Sequence, residues 1–222
     1  MQSTESGNLI TQQIDMADDE EIYSVPDHPL LVIISGPSGV GKDTMLECIR
    51  DFGSDFAFVV TMTTRPKRAT EADGVDYFFV SHSTFQQMIA DDELLEYSLV
   101  YGDYKGIPKN QVRKAFDSGK DVMMRIDVQG AEKIRKIAPN VITIFLMPES
   151  EAELVRRLTE RKSETPDNLR RRINTAREEM KRRFEFDYIV VNRRDETTEA
   201  MDEILAVIKA EHCRVGRQPI TL

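Results

Sequence analysis

The stretch ISGPSGVGKDT, residues 34–44, decides how the rest of the chain is read. Gly36, Gly41 and Lys42 stand at the G-x-x-x-x-G-K spacing of a phosphate-binding loop, which calls next for a Ser or Thr to hold the Mg²⁺ of a nucleotide. Here Asp43 takes that place and Thr44 comes one residue late. Upstream, LLVIIS (30–35) is a continuous apolar run, the mark of a strand buried on both faces. Downstream, Met45, Cys48, Ile49 and Phe52 recur at i, i+3, i+4 and i+7, which predicts a helix beginning near Lys42 with these residues on its core side. Strand, glycine loop and helix form the context the motif needs. The glycines let backbone N–H groups curl around phosphate oxygens, the helix N-terminus adds its positive end, and Lys42 supplies a point charge. Gly36, Pro37, Ser38, Gly39, Val40, Gly41, Lys42, Asp43 and Thr44 are therefore the expected ATP contacts. Mg²⁺ takes oxygen ligands and keeps several waters, so an Asp43 carboxylate or a Thr44 hydroxyl suits the metal role.

The alternation continues outward. VMMRIDV (122–128), VITIFLM (141–147) and FDYIVVN (186–192) read as strands. Between them lie helical patterns: Ser150 and Glu153 pair as a capping box before Leu154 and Leu158, and Thr165-Pro166 precedes Leu169, Ile173, Ala176 and Met180. Such alternation predicts an α/β fold with a parallel sheet covered on both faces. Residues 56–107 break it with FAFVVTM, YFFVS and LLEYSLVYG, and with one short helix from about Thr84 to Ala90 capped by Ser83 and Gln86. This reads as a small strand-rich insertion.

Composition sets outer limits. The chain has 222 residues, 40% hydrophobic and 31% charged, enough for one well-packed domain. No apolar run approaches the roughly 18 residues of a membrane span. Cys48 and Cys213 match no metal or redox spacing, His28, His82 and His212 are scattered, and a reducing compartment fits this usage. The net charge of -9 is concentrated in residues 1–29, where Glu5, Asp15, Asp18, Asp19, Glu20, Glu21 and Asp27 face no Lys or Arg. That leader is expected to be a disordered arm, and its acidity is the opposite of a signal or transit peptide's, so no transit peptide is expected within it.

Two further stretches carry cations. TMTTRPKRATEADGVDY (61–77) sets Arg65 and Arg68 three apart before a Gly turn and Tyr77, offering donors for a second phosphate. LTERKSETPDNLRRRINTAREEMKRR (158–183) is Arg-rich within an acidic protein, which suggests anion contact. It lacks the aromatic interleaving of a nucleic-acid surface. Arg157, Arg161 and Arg172 flank the polar break TERKSETPDN, which reads as a lid.

Taken together these residues resemble the guanylate kinase family, which phosphorylates GMP with ATP. The resemblance spans roughly residues 30–210. It rests on ISGPSGVGK, TTRPKR, DGVDYFFVS, LLEYSLVYGDYKG, IDVQGA and the arginines of RRLTERKSETPDNLRRRI, all in family order. GKD and YKGIP look most like the plant organellar branch, which implies a chloroplast or mitochondrion. The resemblance implies a P-loop nucleoside-monophosphate kinase fold: a parallel core, a GMP-binding insertion over 61–110 and a helical lid over 159–171. These lie in a domain of residues 30–213, followed by a flexible tail, 214–222. It implies that Thr61 and Glu96 read guanine, that Arg65, Arg68 and Tyr77 grip the GMP phosphate with Glu71 bracing them, and that Lys105 and Asp127 also line the GMP site. Lys42, Arg65, Arg157, Arg161 and Arg172 would be the catalytic cations, Asn192 and Arg193 would lie by adenine, and Asp127 would join Asp43 and Thr44 near Mg²⁺. Expected partners are ATP and GMP or dGMP, with no nucleic acid and no membrane, for a monomer or weak dimer. Three positions depart from the family pattern: Lys105 replaces a tyrosine, Ile107 a Ser or Thr, and Arg125 a carboxylate.

Rival readings use fewer of these residues. A GTP-hydrolysing switch would use DVQG (127–130) and NRRD (192–195), yet the Arg-rich acceptor region has no task in it. A non-catalytic scaffold module of the same family would not need the intact Gly36, Gly41 and Lys42. A kinase acting on a sugar phosphate would have no use for Glu96.

Overall fold

The computed structural model describes residues 28–53, 55–100, 102–160 and 166–221. Five strands form a fully parallel sheet in the order β2-β7-β1-β8-β9: β1 Leu31–Ser35, β2 Phe56–Phe58, β7 Asp121–Arg125, β8 Ile142–Pro148 and β9 Tyr188–Asn192. β1 is buried throughout, and its alternate residues feed two cores. Val32 and Ile34 pack with Met45, Leu46 and Ile49 of α1 (Lys42–Asp51) and with Met201, Ile204 and Ile208 of α7 (Thr197–His212). Leu31 and Ile33 face the other way, toward Val112 and Ala115 of α3 (Lys109–Phe116) and Ala131 and Ile134 of α4 (Val128–Ile137). A continuous apolar run is what a strand between two helical layers requires.

A second sheet holds the insertion, in the order β4-β3-β6-β5: β3 Thr61–Thr63, β4 Tyr77–Phe79, β5 Leu94–Val100 and β6 Asp103–Pro108. Its own small core, Met62, Phe85 and Leu94, is closed by α2 (His82–Ala90). α5 (Glu151–Thr159) and α6 (Pro166–Lys181) pack through Leu154, Leu158 and Ala176, with Leu169 and Ile173 against them. Ser150 caps α5 as expected, accepting from the Glu153 N–H at 3.1 Å.

Three local expectations need correction. Phe56–Phe58 belongs to the core sheet, where it pairs with β7, so the strand-rich insertion starts at Thr61. α2 begins at His82 and is capped by Ser81, whose extended backbone lets its hydroxyl accept from the Thr84 N–H at 3.0 Å. Phe52 is not on the core face: α1 ends at Asp51, the chain turns through Gly53 at positive φ, and the Phe52 ring is exposed. In the tail, Arg217 donates to the buried Glu211 carboxylate and to the Asn140 carbonyl, and Ile220 packs on the second core, while Val215 is exposed. The acidic leader through Asp27 and residues 161–165, including Arg161, lie outside the described residues.

Candidate active site

β1, β7 and the insertion converge on a cavity of about 320 Å³ at the C-terminal ends of the parallel strands, where open α/β sheets place their ligands. The glycine loop forms one wall. Gly36 is at φ 140° directly after β1, and a Cβ there would lie 2.1 Å from the Leu146 carbonyl oxygen. Only glycine fits so close to β8. Gly41, at φ 99°, precedes α1, so the loop opens directly into a helix N-terminus. The Lys42 ammonium folds back on its loop, donating to the Gly36 carbonyl at 2.6 Å and the Pro37 carbonyl at 3.0 Å. Burial brings its pKa down to about 8, against the pull of Glu179.

The loop is braced from the far end of the chain. Asn192, 3% exposed at the end of β9, donates to the Val40 carbonyl at 2.8 Å. Arg157 of α5 donates to the same carbonyl and to the Asn192 carbonyl, each at 3.0 Å, while its Nε is held by Glu153 at 2.6 Å. Arg157 thus lies at the back of the loop, outside the cavity lining, and Asn192 is a buried brace. Arg193 is exposed, 4.0 Å from Glu196 and away from the cavity lining. Arg172 does line the cavity: it is 7% exposed on α6 and donates to the Ser38 hydroxyl at 2.8 Å. Seven residues on along the same helix, Glu179 accepts from the Ser38 N–H at 3.2 Å. Burial raises the Glu179 carboxyl above its usual range even with Lys42 near.

The facing wall is built from side chains. Glu71 grips Arg65 with both oxygens, at 2.5 and 2.8 Å, and accepts from the Arg68 N–H at 2.9 Å and the Arg68 guanidinium at 3.4 Å. Burial works against the ionised Glu71, but these hydrogen bonds outweigh it and hold the carboxyl below its usual range. The Arg65 guanidinium lies 4.9 Å from the Tyr77 ring centroid. Arg65, Arg68 and Tyr77 line the cavity with Glu71 behind them. Arg125, the last residue of β7, lies 4.5 Å from the centroid of the same ring and places its Nε 2.8 Å from Asp43 Oδ1. Asp43 is thus committed to Arg125, and it also accepts from the Tyr77 hydroxyl at 3.4 Å. Asp43, expected beside the metal, therefore has Oδ1 engaged by two partners. Thr44 is exposed and lines the cavity.

At the far end sits Glu96, on the buried side of β5 just past a bulge opposite β6. It is 5% exposed, and its Oε2 has no hydrogen-bond partner, with Lys133 3.5 Å away. Burial, with help from the Asp127 charge and against Lys133, raises its pKa to about 7. Gly130 makes room for this carboxylate, since a Cβ there would lie 2.8 Å from Oε1. Thr61 donates to the Arg125 carbonyl at 3.3 Å. Asp127 caps α4 through the Gly130 N–H at 2.9 Å and accepts from Ser98 at 2.7 Å. Thr61, Glu96, Lys105 and Asp127 all line the cavity. Ile107 points into the second core, fully buried beside Leu31 and Ile33, so its departure from a polar residue is absorbed by packing.

Residues 28–211 match the guanylate kinase family model. The chain belongs to the guanylate kinase family. It is 46% identical over 203 residues to "Guanylate kinase 2, chloroplastic/mitochondrial" of Oryza sativa subsp. japonica, covering 91% of this chain and 71% of that protein. It is 44% identical over 188 residues to the guanylate kinase of Halalkalibacterium halodurans, covering 85% and 91%. The crystal structure of guanylate kinase from Anaplasma phagocytophilum superposes with a TM-score of 0.70 at 29% identity, covering 87% of this chain and 92% of that one. Within this guanylate kinase fold, three features escaped the sequence reading. Glu179 is one; its only signal was an i+7 spacing from Arg172 along one helix face. The others are the bond between the two departures Asp43 and Arg125, and the space that Gly130 leaves for Glu96.

Proposed function

We propose that this chain transfers the γ-phosphoryl group of ATP to GMP, or dGMP, giving ADP and GDP. One observation carries the reading: a single cavity has a braced phosphate loop with Lys42 at one end and a buried, half-unsatisfied Glu96 carboxylate at the other. Arg65, Arg68 and Tyr77 lie between. An ionised Glu96 accepts from the N1–H and exocyclic amino group of guanine. Facing adenine it would meet a lone pair. The clamp holds the monophosphate so that one of its oxygens attacks the γ-phosphorus of ATP, the bond to the β–γ bridging oxygen breaks, and ADP leaves. The acceptor oxygen is already ionised, so no strong general base is needed. The obstacle is repulsion between two polyanions, and fixed cations lower it. Lys42 and Arg172 serve the donor side, and Lys105 adds charge within the same cavity.

The donor set also fits Mg²⁺ of the kind that is held mainly by phosphates and water. Among the described residues no cluster of three His, Cys, Asp or Glu forms a cage, but Thr44 and Asp127 line the cavity. Those two would hold the ion, which supplies charge neutralisation of the triphosphate. The likeness to the rice protein supports placement in a chloroplast or mitochondrion, testable by imaging a tagged full-length product, and a monomer or weak dimer is the expected assembly. A coupled assay with ATP and each of GMP, dGMP, AMP, CMP and UMP tests the function. Turnover should favour the guanine nucleotides by at least about 10²-fold. ATP hydrolysis that ignores added GMP, or no turnover with any acceptor, would sink the reading.

A further inference from the structure

We infer that Arg125 is an additional cation of the acceptor-phosphate clamp and that Asp43 positions it. This rests on the reading of the cavity as a GMP site. The sequence departs from the family pattern at 43, where a hydroxyl is expected, and at 125, where a carboxylate is expected. These residues lie on separate elements, the first turn of α1 and the end of β7, yet the fold sets them 2.8 Å apart as an ion pair. Each departure therefore accounts for the other. A carboxylate at 125 would face the Asp43 carboxylate with like charge, and a hydroxyl at 43 would leave a buried guanidinium without its counter-charge.

The pair sits where a phosphate clamp needs it. The Arg125 side chain is 8% exposed, and its guanidinium lies over Tyr77, the ring that Arg65 also approaches. Its Nη2 donates to the Asp76 carbonyl, which ties it to the segment carrying Tyr77. Arg65, Arg68, Tyr77, Asp43 and Arg125 all line one cavity. The Nη2 hydrogen bond, the Asp43 ion pair and the Tyr77 ring together hold the guanidinium in place, the condition under which a fork binds phosphate oxygens well. Asp43 balances the charge before the phosphate arrives and keeps the fork in register afterwards. Relative to the family pattern, the substitution of Arg125 for a carboxylate turns a repulsive group near the acceptor phosphate into an attractive one. It also links the clamp to the first turn after the ATP loop.

The ratio of guanosine to GMP dissociation constants, measured by calorimetry without ATP or metal, isolates the phosphate contribution. Arg125→Met should shrink that ratio by about 10- to 100-fold, the loss of one charge-assisted contact, while guanosine affinity stays within about twofold. Asp43→Asn should shrink it by about 3- to 10-fold, and adding Asp43→Asn to Arg125→Met should change nothing further, because Asp43 acts through Arg125. Arg125→Lys, which keeps the charge and loses the fork, should fall between wild type and Arg125→Met. It also carries the test if the methionine variant does not fold. An unchanged ratio in Arg125→Met, or in Arg125→Lys where that variant stands in, overturns the assignment whatever the melting temperature does. An Asp43→Asn effect that persists at full size beside Arg125→Met overturns the positioning role. Wild-type protein that binds neither GMP nor guanosine would overturn the GMP reading as well, so the two failures are distinguishable.

Discussion

The two walls of the cavity are built on different principles. The donor wall is mostly backbone: glycines at positive φ, carbonyls gripped by Lys42, Arg157 and Asn192, and a helix N-terminus. The acceptor wall is mostly side chain: a Glu71-braced pair of arginines, an aromatic ring, and a buried carboxylate with an unmet hydrogen-bond capacity. Backbone N–H groups recognise any phosphate, so the first wall is general. The buried Glu96 Oε2 makes no hydrogen bond and calls for a partner with donors at the right places, so on the proposed reading the second wall selects. Generality and choice are thereby separated in space, and each can be disturbed alone.

The largest effect should come from Lys42→Ala, which ought to cut turnover roughly 10²–10³-fold or more with little change in melting temperature. A variant that keeps more than about a tenth of wild-type turnover would remove the loop from the mechanism. Next, Glu96→Ala should lower kcat/KM for GMP by at least about 10²-fold and leave AMP use flat, since two charge-assisted hydrogen bonds are lost. Arg65→Ala should instead weaken every monophosphate alike. Equal losses for GMP and AMP in Glu96→Ala would show that the selective wall is misassigned. Gly130→Ala, with a Cβ 2.8 Å from Glu96 Oε1, should displace that carboxylate and cost roughly 10-fold in kcat/KM for GMP. The KM for ATP should not move.

Acidity probes the same wall. Glu96 has to be ionised to accept from guanine, and burial sets its pKa at about 7. Guanosine affinity should then fall by about tenfold per pH unit below that value, and Glu96→Gln should abolish the slope. For the fold the sign is reversed. A raised carboxyl favours the folded state at low pH, and that contribution is lost as pH climbs from about 4.5 through about 7. The smallest effect is expected for Arg157→Lys. It keeps the charge behind the loop but loses the three-way fork, so the melting temperature should drop by about 2–4 °C with a modest rise in the KM for ATP. A larger loss in kcat than in stability would return Arg157 to the catalytic group.

The parts that were legible in the sequence are those whose physics is local. The β1–loop–α1 unit could be read because apolar run, glycines and helical spacing adjoin one another. The acceptor arginines could be read because Arg65 and Arg68 stand three apart just before a Gly turn and Tyr77. What escaped depended on distance. Arg157 and Asn192 carry the right chemistry for a nucleotide site, but pairing with the Val40 carbonyl turns both to the back of the loop. Asp43 and Arg125 were each visible as departures, and only the adjacency of α1 and β7 shows that they form one feature. Glu179 lay hidden in a run of alternating charges. Phe56–Phe58 has the same apolar character as the insertion strands, and its sheet is fixed by pairing with β7.

The bracing of the loop also bears on how the molecule comes into being. Val40 is held by Asn192, 152 positions later, and Ser38 by Glu179, 141 positions later. Contacts of such separation form late, after the intervening chain has been brought together. A ribosome that has finished residue 44 has therefore made the whole motif without making the loop. Only when β9 slots in beside β8 is the Val40 carbonyl gripped by Asn192, with Arg157 joining both. The finished loop is in this sense a record of completion, since its bracing bonds need the strand that ends at Asn192.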